Sequence, residues 1–260
     1  AAITLAEAIG NGSIDEFVKQ MNEEAKRLGM KHTHFNNPTG ISSNGHVSTV
    51  GDLAILAAAL INDYPKYYPL FANKSFKYNN IEQPNRNLLL YRDSSIDGLK
   101  TGYSEGAGYH LAASSKRNNR RIVSILAGAE STEARASESS KLLNWSLQAF
   151  DTPKLYNGGE VISQVKVYKG STKAVDIGFL DDVYITIPHD TGKNVKPILE
   201  TLQPVLAPIE KGQVLGKLKV MKDGKIIAEK DVVALTGVEE GSWLRRMWDA
   251  IVLWFKGLFS

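Results

Sequence analysis

The chain has no cysteine. That excludes disulfides, cysteine-based zinc sites and thiol catalysis, and it permits an oxidising compartment without pointing to one. It has no excess of either charge: 31 basic against 28 acidic residues leave +3, too little for a nucleic-acid partner. The densest basic run, Lys116-Arg117-Asn118-Asn119-Arg120-Arg121, reads as a hairpin tip. No apolar run is long and uncharged enough to span a bilayer. No basic leader with an apolar core opens the chain; Ala1-Ala2-Ile3-Thr4-Leu5-Ala6-Glu7-Ala8 reads as the middle of a helix, so a cut front is expected. The five histidines lack a third-ligand pattern, and His32, His34 and His46 read as solvated loop residues, so no metal is expected. What remains is ordinary globular composition, 43% hydrophobic and 23% charged, in 260 residues, enough for one large domain or two smaller ones.

Ser13-Ile14-Asp15-Glu16 fits a capping box. Ile14, Phe17, Val18, Met21, Ala25 and Leu28 follow at helical spacing, and Gly29 stops the run. A turn-rich loop to Gly45 contains Asn37-Pro38-Thr39-Gly40. Ser48 or Thr49 opens a second helix with Leu53, Leu56, Ala57, Leu60 and Ile61 on one face, ended by Tyr64-Pro65. Short strands and turns are expected from Phe71 to Tyr91. The apolar run Ile96-Asp97-Gly98-Leu99 leads into Lys100-Thr101-Gly102. Tyr109–Ser115 and Ile122–Ala129 then pair as an antiparallel hairpin through Asn118-Asn119. Ser131 to Phe150 is helical, with Leu142, Trp145 and Ala149 on its apolar stripe. Residues 1–150 thus read as α+β.

Composition shifts after Asp151-Thr152-Pro153. Alternating strands are expected at Ser163–Tyr168, Val183–Pro188, Val214–Met221 and Ile226–Val233, the last two joined by Lys222-Asp223-Gly224-Lys225. We read residues 151–238 as a small all-β domain. Residues 239–260 differ again. Trp243, Leu244, Met247, Trp248, Ile251, Trp254, Phe255, Leu258 and Phe259 dominate. Arg245, Arg246, Asp249 and Lys256 gather on one side, with Val252 and Leu253 intruding. This reads as an amphipathic helix lying on a membrane surface, rings in the lipid and cations toward headgroups; docking on a core or a second copy is the alternative.

Two motif matches fail on context. Gly102-Tyr103-Ser104-Glu105-Gly106 fits the G-x-S-x-G nucleophile elbow, which needs a helix after it; here a β-like segment follows. Ser163-Gln164-Val165-Lys166 fits S-x-x-K, but in a strand residues three apart point to opposite faces. The Lys100-Thr101-Gly102 stretch is better placed. It offers a fixed positive charge, a hydroxyl, and a residue with no side chain to obstruct a ligand backbone. Together these suit an extended, anionic, peptide-like ligand.

Lys-Thr-Gly belongs with S-x-x-K and S-x-N in the serine β-lactamase and penicillin-binding protein superfamily. Asp97-Gly98-Leu99-Lys100-Thr101-Gly102, with Ala107-Gly108-Tyr109-His110-Leu111, resembles the D-alanyl-D-alanine carboxypeptidases, the low-molecular-mass penicillin-binding proteins of the type 5 and 6 group. Leu28-Gly29-Met30-Lys31-His32-Thr33-His34-Phe35, Pro38-Thr39-Gly40, Asn85-Arg86-Asn87 and Glu138-Ser139-Ser140-Lys141-Leu142-Leu143-Asn144-Trp145 resemble its segments in the same order. The likeness covers the whole chain. It implies an α+β penicillin-binding, serine β-lactamase-like (transpeptidase-like) domain, N-terminally incomplete, then the all-β domain and the terminal helix. In the family, Ala1-Ala2-Ile3-Thr4-Leu5-Ala6-Glu7 follows the S-x-N stretch, and S-x-x-K lies further upstream, so both are expected outside this chain. Ser42-Ser43-Asn44 sits where the family has no catalytic motif.

The resemblance further implies that Lys100 supplies positive potential at the acylation site. Thr101 would hydrogen-bond the substrate's terminal carboxylate, Gly102 would admit the substrate, and the Tyr103 backbone N–H would form half of the oxyanion hole. Tyr103 departs from the family's His or Thr, which puts side-chain tuning of deacylation in doubt. Arg135 matches an arginine that helps hold the carboxylate. The implied reaction is acyl transfer from the peptidoglycan stem peptide to a serine, with release of D-alanine and hydrolysis by water. β-Lactam antibiotics would trap the acyl form, and no cofactor is needed. The expected location is the periplasmic face of the bacterial inner membrane. The 260 residues alone should be inactive, and the α+β domain should fold only beside the missing N-terminal segment. A β-lactamase and a non-catalytic, membrane-tethered wall-binding protein are the alternatives.

Overall fold

Local signals set the first elements of this computed structural model, which describes residues 1–117, 120–189 and 195–258. Helix α1 covers Ala2–Ile9 and α2 covers Ile14–Leu28. Ser13 caps α2 by accepting the Glu16 N–H at 3.2 Å, and Gly29 closes it with φ of 80°. Only half of the expected capping box forms. Glu16 pairs with Lys19 at 3.3 Å, and the Ser13 N–H goes to the Gly10 carbonyl instead. Thr49 caps α3 (Val50–Asp63) through the Asp52 N–H. Asp52 also accepts from the His32 N–H and the Thr33 hydroxyl, at 2.8 and 2.7 Å. The Thr33 hydrogen bond is the largest influence holding its carboxyl below the usual range. The loop before α3 is thereby tied to the helix start.

A 3₁₀ turn at Tyr68–Ala72 leads to the hairpin β1 (Ser75–Tyr78) and β2 (Ile81–Pro84) and to the single turn α4 (Leu89–Arg92). Three antiparallel strands follow: β3 (Ile96–Ser104), β4 (Gly108–Arg117) and β5 (Arg120–Ala129), in the order β3-β4-β5. The Asn118-Asn119 turn lies outside the described residues. Helix α5 (Thr132–Ala149) packs on one side of this sheet, where Leu111 and Ala113 meet Ala136 and Leu143. Helix α3 packs on the other, where Ala57 and Leu60 meet Leu99, Ala112 and Val123. Each side removes several apolar side chains from water, at about 1.5–3 kcal/mol per fully buried Leu, Ile or Val.

The expected apolar stripe of α5 is not its buried face. Leu142 and Trp145 are 37% and 57% exposed, and Ala149 falls outside the buried set; the buried residues are Arg135, Ala136, Ser139 and Leu143. Arg135 turns that way because backbone carbonyls on the sheet side receive its guanidinium.

The chain divides into two units, Ala1–Gln148 and Ala149–Ser260. The second contains β6 (Phe150–Asp151), β7 (Lys154–Tyr156), β8 (Val161–Tyr168), β9 (Ala174–Gly178), β10 (Val183–Tyr184) and β11 (Ile187–Pro188). It continues with β12 (Val195–Thr201), β13 (Val205–Leu206), β14 (Val214–Lys222), β15 (Lys225–Ala234) and helix α6 (Trp243–Leu258). Its main sheet runs β12-β14-β15-β9-β8-β13 over a core that includes Val165, Val175, Ile177, Leu215, Leu218 and Val232. Asp223 and Gly224, both at positive φ, make the expected β14–β15 turn. Val183–Pro188 is not one strand. Val183 and Tyr184 pair with β7, whereas Ile187 and Pro188 pair with β6.

Helix α6 faces opposite to the usual rule. Arg245, Asp249, Val252 and Leu253 are its half-buried side. Asp249 accepts the Lys169 N–H at 2.5 Å, and Arg245 donates to the Ser171 carbonyl at 3.0 Å. Arg246 pairs with Glu240. Trp243, Leu244, Met247, Trp248, Ile251, Trp254 and Phe255 all point outward. Arg245 is thus anchored inward while Arg246 stays exposed, and Val252 and Leu253 fall on the half-buried side with Arg245 and Asp249. Phe259 and the side chains of Lys256 and Leu258 lie outside the described residues. No helix among the described residues is long and apolar enough to cross a membrane.

Candidate active site

Strand β3 is an edge strand, and its two halves differ. The first half is covered. Ile96, Gly98 and Leu99 are buried. A Cβ on Gly98 would fall 2.6 Å from the Tyr68 hydroxyl, so packing itself requires glycine there. Asn87, 1% exposed, donates to the Gly98 carbonyl at 3.0 Å and accepts the Leu89 N–H at 3.1 Å. Asp97 pairs with Arg121 at 2.7 Å, and Arg121 also reaches Ser114 and stands over the Tyr68 ring at 5.0 Å. Burial pushes the Tyr68 phenol up to about 12.

The second half is open. Lys100 and Tyr103 are exposed, while Thr101, Gly102 and Ser104 are half-buried. A Cβ on Gly102 would meet only His110, at an ordinary 3.5 Å, so internal packing does not require glycine at this position. Space beside the strand is what the missing side chain leaves.

Positive charge converges on this open half. The Lys100 ammonium donates to the Thr101 carbonyl. Desolvation of its stem, then the charges of Arg86 and Arg135, hold it below the usual lysine range. Arg135 is 3% exposed. Its guanidinium donates to the Arg86 carbonyl at 2.9 Å and to the His110 carbonyl at 3.5 Å, and lies 5.7 Å from the Tyr109 ring centre. His110 is the residue paired with Gly102. Among the described residues no carboxylate pairs with Arg135. Burial lowers its pKa from the usual arginine value, but a guanidinium keeps its proton in proteins. A buried cation whose hydrogen-bond acceptors among the described residues are carbonyls favours an incoming anion.

The structure thus brings Lys100, Thr101, Gly102, Tyr103 and Arg135 to one strand edge. Arg86 joins them, and its part was not read from the sequence. Asn85-Arg86-Asn87 stood out only as a likeness, and no local pattern announces that Asn87 would brace β3. The rejected matches stay apart: Gly102–Gly106 is strand then turn, and Ser163 and Lys166 lie on β8. In the 30–47 loop, Asn37 accepts from Thr39 and Gly40, and His46 accepts the Asn36 N–H, so these side chains hold the loop's own shape.

Comparison with known proteins gives the family. Residues 1–131 match the family profile described as D-alanyl-D-alanine carboxypeptidase. The chain belongs to that family. Residues 150–240 match the profile described as Penicillin-binding protein 5, C-terminal domain. The chain is 39% identical over 263 residues to the D-alanyl-D-alanine carboxypeptidase DacA of Haemophilus influenzae, covering 100% of this chain and 67% of that protein. Penicillin-binding protein 5 from H. influenzae superposes with a TM-score of 0.79 at 38% identity, over 91% of this chain and 69% of that one. Penicillin-binding protein D2 from Listeria monocytogenes, solved in a cefotaxime-bound form, is 32% identical with a TM-score of 0.51, over 55% of this chain and 58% of that one. The α+β unit is thus the penicillin-binding type, followed by the small all-β unit of such carboxypeptidases. The chain spans about two thirds of the length of the curated relatives it matches, 67%, 66% and 62% of the first three.

Proposed function

We propose that these 260 residues carry the carboxylate-binding strand and part of the oxyanion hole of a serine D-Ala-D-Ala carboxypeptidase. The observation that carries the reading is the buried Arg135, without a carboxylate partner among the described residues, beside the open half of β3. An extended stem peptide lies along that edge as an added strand. Its terminal carboxylate meets Thr101 and Arg135, with Arg86 and Lys100 adding positive potential. Lys100, held below the usual lysine range by desolvation and its cationic neighbours, stabilises the developing charge at the acylation site.

The reaction runs in two steps. A serine oxygen attacks the penultimate D-Ala carbonyl and loses its proton to a lysine base. The tetrahedral oxyanion is held by backbone N–H groups, that of Tyr103 among them. It collapses to an acyl-enzyme as the peptide nitrogen takes up a proton and D-alanine departs, and water then releases the shortened peptide. The serine and its lysine lie in sequence outside these residues, a reading supported by the greater length of the relatives. β-Lactams acylate the same serine; the cefotaxime complex of the Listeria relative supports this. The outward apolar face of α6 supports a place on the periplasmic face of the inner membrane.

Labelling with a fluorescent penicillin, followed by a denaturing gel, tests the proposal. The full-length protein should be labelled and the 260-residue chain should not. Label on the 260-residue band would place the nucleophile within it, with Ser104 and Ser42 the first to substitute. No label on either would remove the acyl-enzyme reading.

A further inference from the structure

The oxyanion role uses the backbone of Tyr103 and leaves its ring unexplained. That ring is 59% exposed and lies against Tyr109, with centres 4.4 Å apart and planes 34° from parallel. Tyr109 in turn holds the Arg135 guanidinium 5.7 Å from its own ring centre. The three form a continuous row: exposed ring, supporting ring, buried cation.

Strand register fixes which side of β3 this row occupies. Tyr109 precedes Leu111 by two residues on β4, and Leu111 packs with Ala136 and Leu143 of α5. Alternation therefore places Tyr109 on the α5 side. Thr101 pairs with Leu111 and Tyr103 with Tyr109, so Thr101, Tyr103 and Arg135 share that side. The rings stand beside the groups assigned to the carboxylate. A two-ring stack offers a flat apolar surface with little side-chain freedom left to lose on binding.

We infer that Tyr103, steadied by Tyr109, is a specificity-determining residue for the carboxylate-bearing, departing end of the ligand. It contacts the group adjacent to the carboxylate and favours a planar apolar substituent there over a methyl group. This rests on the proposed acyl-transfer function.

Two cephalosporins sharing one 7-acyl group, one with methyl and one with an aromatic ring on the C3 substituent, place the difference next to the carboxylate. Their second-order acylation constants are measured on the full-length wild type, Tyr103→Ala and Tyr103→Phe. Comparing the aromatic-to-methyl ratio between variants cancels the intrinsic reactivity of the two compounds. Tyr103→Ala should lower that ratio about three- to tenfold, the range expected for one lost ring contact, and Tyr103→Phe should keep it. An unchanged ratio in Tyr103→Ala overturns the inference while acylation itself still upholds the function. A ratio that moves only for a second pair, differing in the 7-acyl group, also overturns it by placing the ring at the acyl end. Failure of both cephalosporins to acylate the wild type removes the proposed function, and this inference with it.

Discussion

The two halves of β3 contain one glycine each, and the two glycines answer to different masters. Gly98 is glycine because Tyr68 occupies the space a side chain would need. Gly102 meets no such obstacle. The covered half is held by Asn87, by the Asp97–Arg121 pair and by Tyr68, all within the protein. The open half has little holding it except the β4 ladder, and it carries the groups with chemistry to offer. Rigidity supplied from one end lets the other end keep its polar groups facing outward in fixed geometry. That is the condition under which electrostatic stabilisation is strongest. On the proposed function the strand is structural and functional in series, with the boundary between Leu99 and Lys100.

Three substitutions sharpen this division. Lys100→Ala, in the open half, should reduce acylation of the full-length protein by penicillin about 100-fold or more. Its unfolding free energy in denaturant titration should stay within about 0.5 kcal/mol of wild type. A comparable loss of stability would erase the proposed boundary. Asn87→Ala, in the covered half, should do the reverse. It strands a buried carbonyl and a buried N–H, and the expected loss is about 3 kcal/mol in denaturant titration. The smallest effect is a pH dependence. The Tyr68 phenol is raised to about 12, chiefly by burial, so the folded protein keeps a proton that the unfolded chain releases near pH 10. Stability from this group is intact below pH 10 and is lost as pH rises toward 12, by about 1 kcal/mol at pH 11. Tyr68→Phe should flatten the stability curve by about 1 kcal/mol between pH 10 and 11. Parallel wild-type and variant curves would show that the Tyr68 phenol is not the titrating group.

Where sequence signals are local, the fold could be read directly. Ser13, Gly29 and Thr49 mark helix ends, and the alternation of Tyr109–Ser115 with Ile122–Ala129 marks a hairpin; all are found in place. Signals that depend on distant partners misled. The inner face of α5 contains Arg135 and Ser139 while Trp145 faces out, because carbonyls of Arg86 and His110 can satisfy a buried guanidinium and no hydropathy pattern encodes them. Strand β12 was missed because Pro197 interrupts it; as an edge strand it tolerates a residue that cannot donate. Strand β9, at Ala174–Gly178, is only five residues long and follows a polar turn. In the candidate site, Lys100, Thr101 and Gly102 were legible as a motif and Arg135 through resemblance. Arg86 was not, since its charge acts on Lys100 from fourteen residues away in the chain.

One consequence of α6 concerns orientation. Asp249 grips a main-chain amide at Lys169, whose φ of 59° marks a tight turn, and Arg245 grips a main-chain carbonyl two residues later. The helix is therefore fastened to the skeleton of the β unit. Were its outer rings to enter a membrane as proposed, they would do so without first rotating or melting, and no adhesion energy would be spent on rearrangement. Whatever plane receives Trp243, Trp248 and Trp254 also receives a fixed tilt of the sheet behind them. On the proposed membrane reading the helix is a foot whose ankle is locked, so attachment would set posture as well as place.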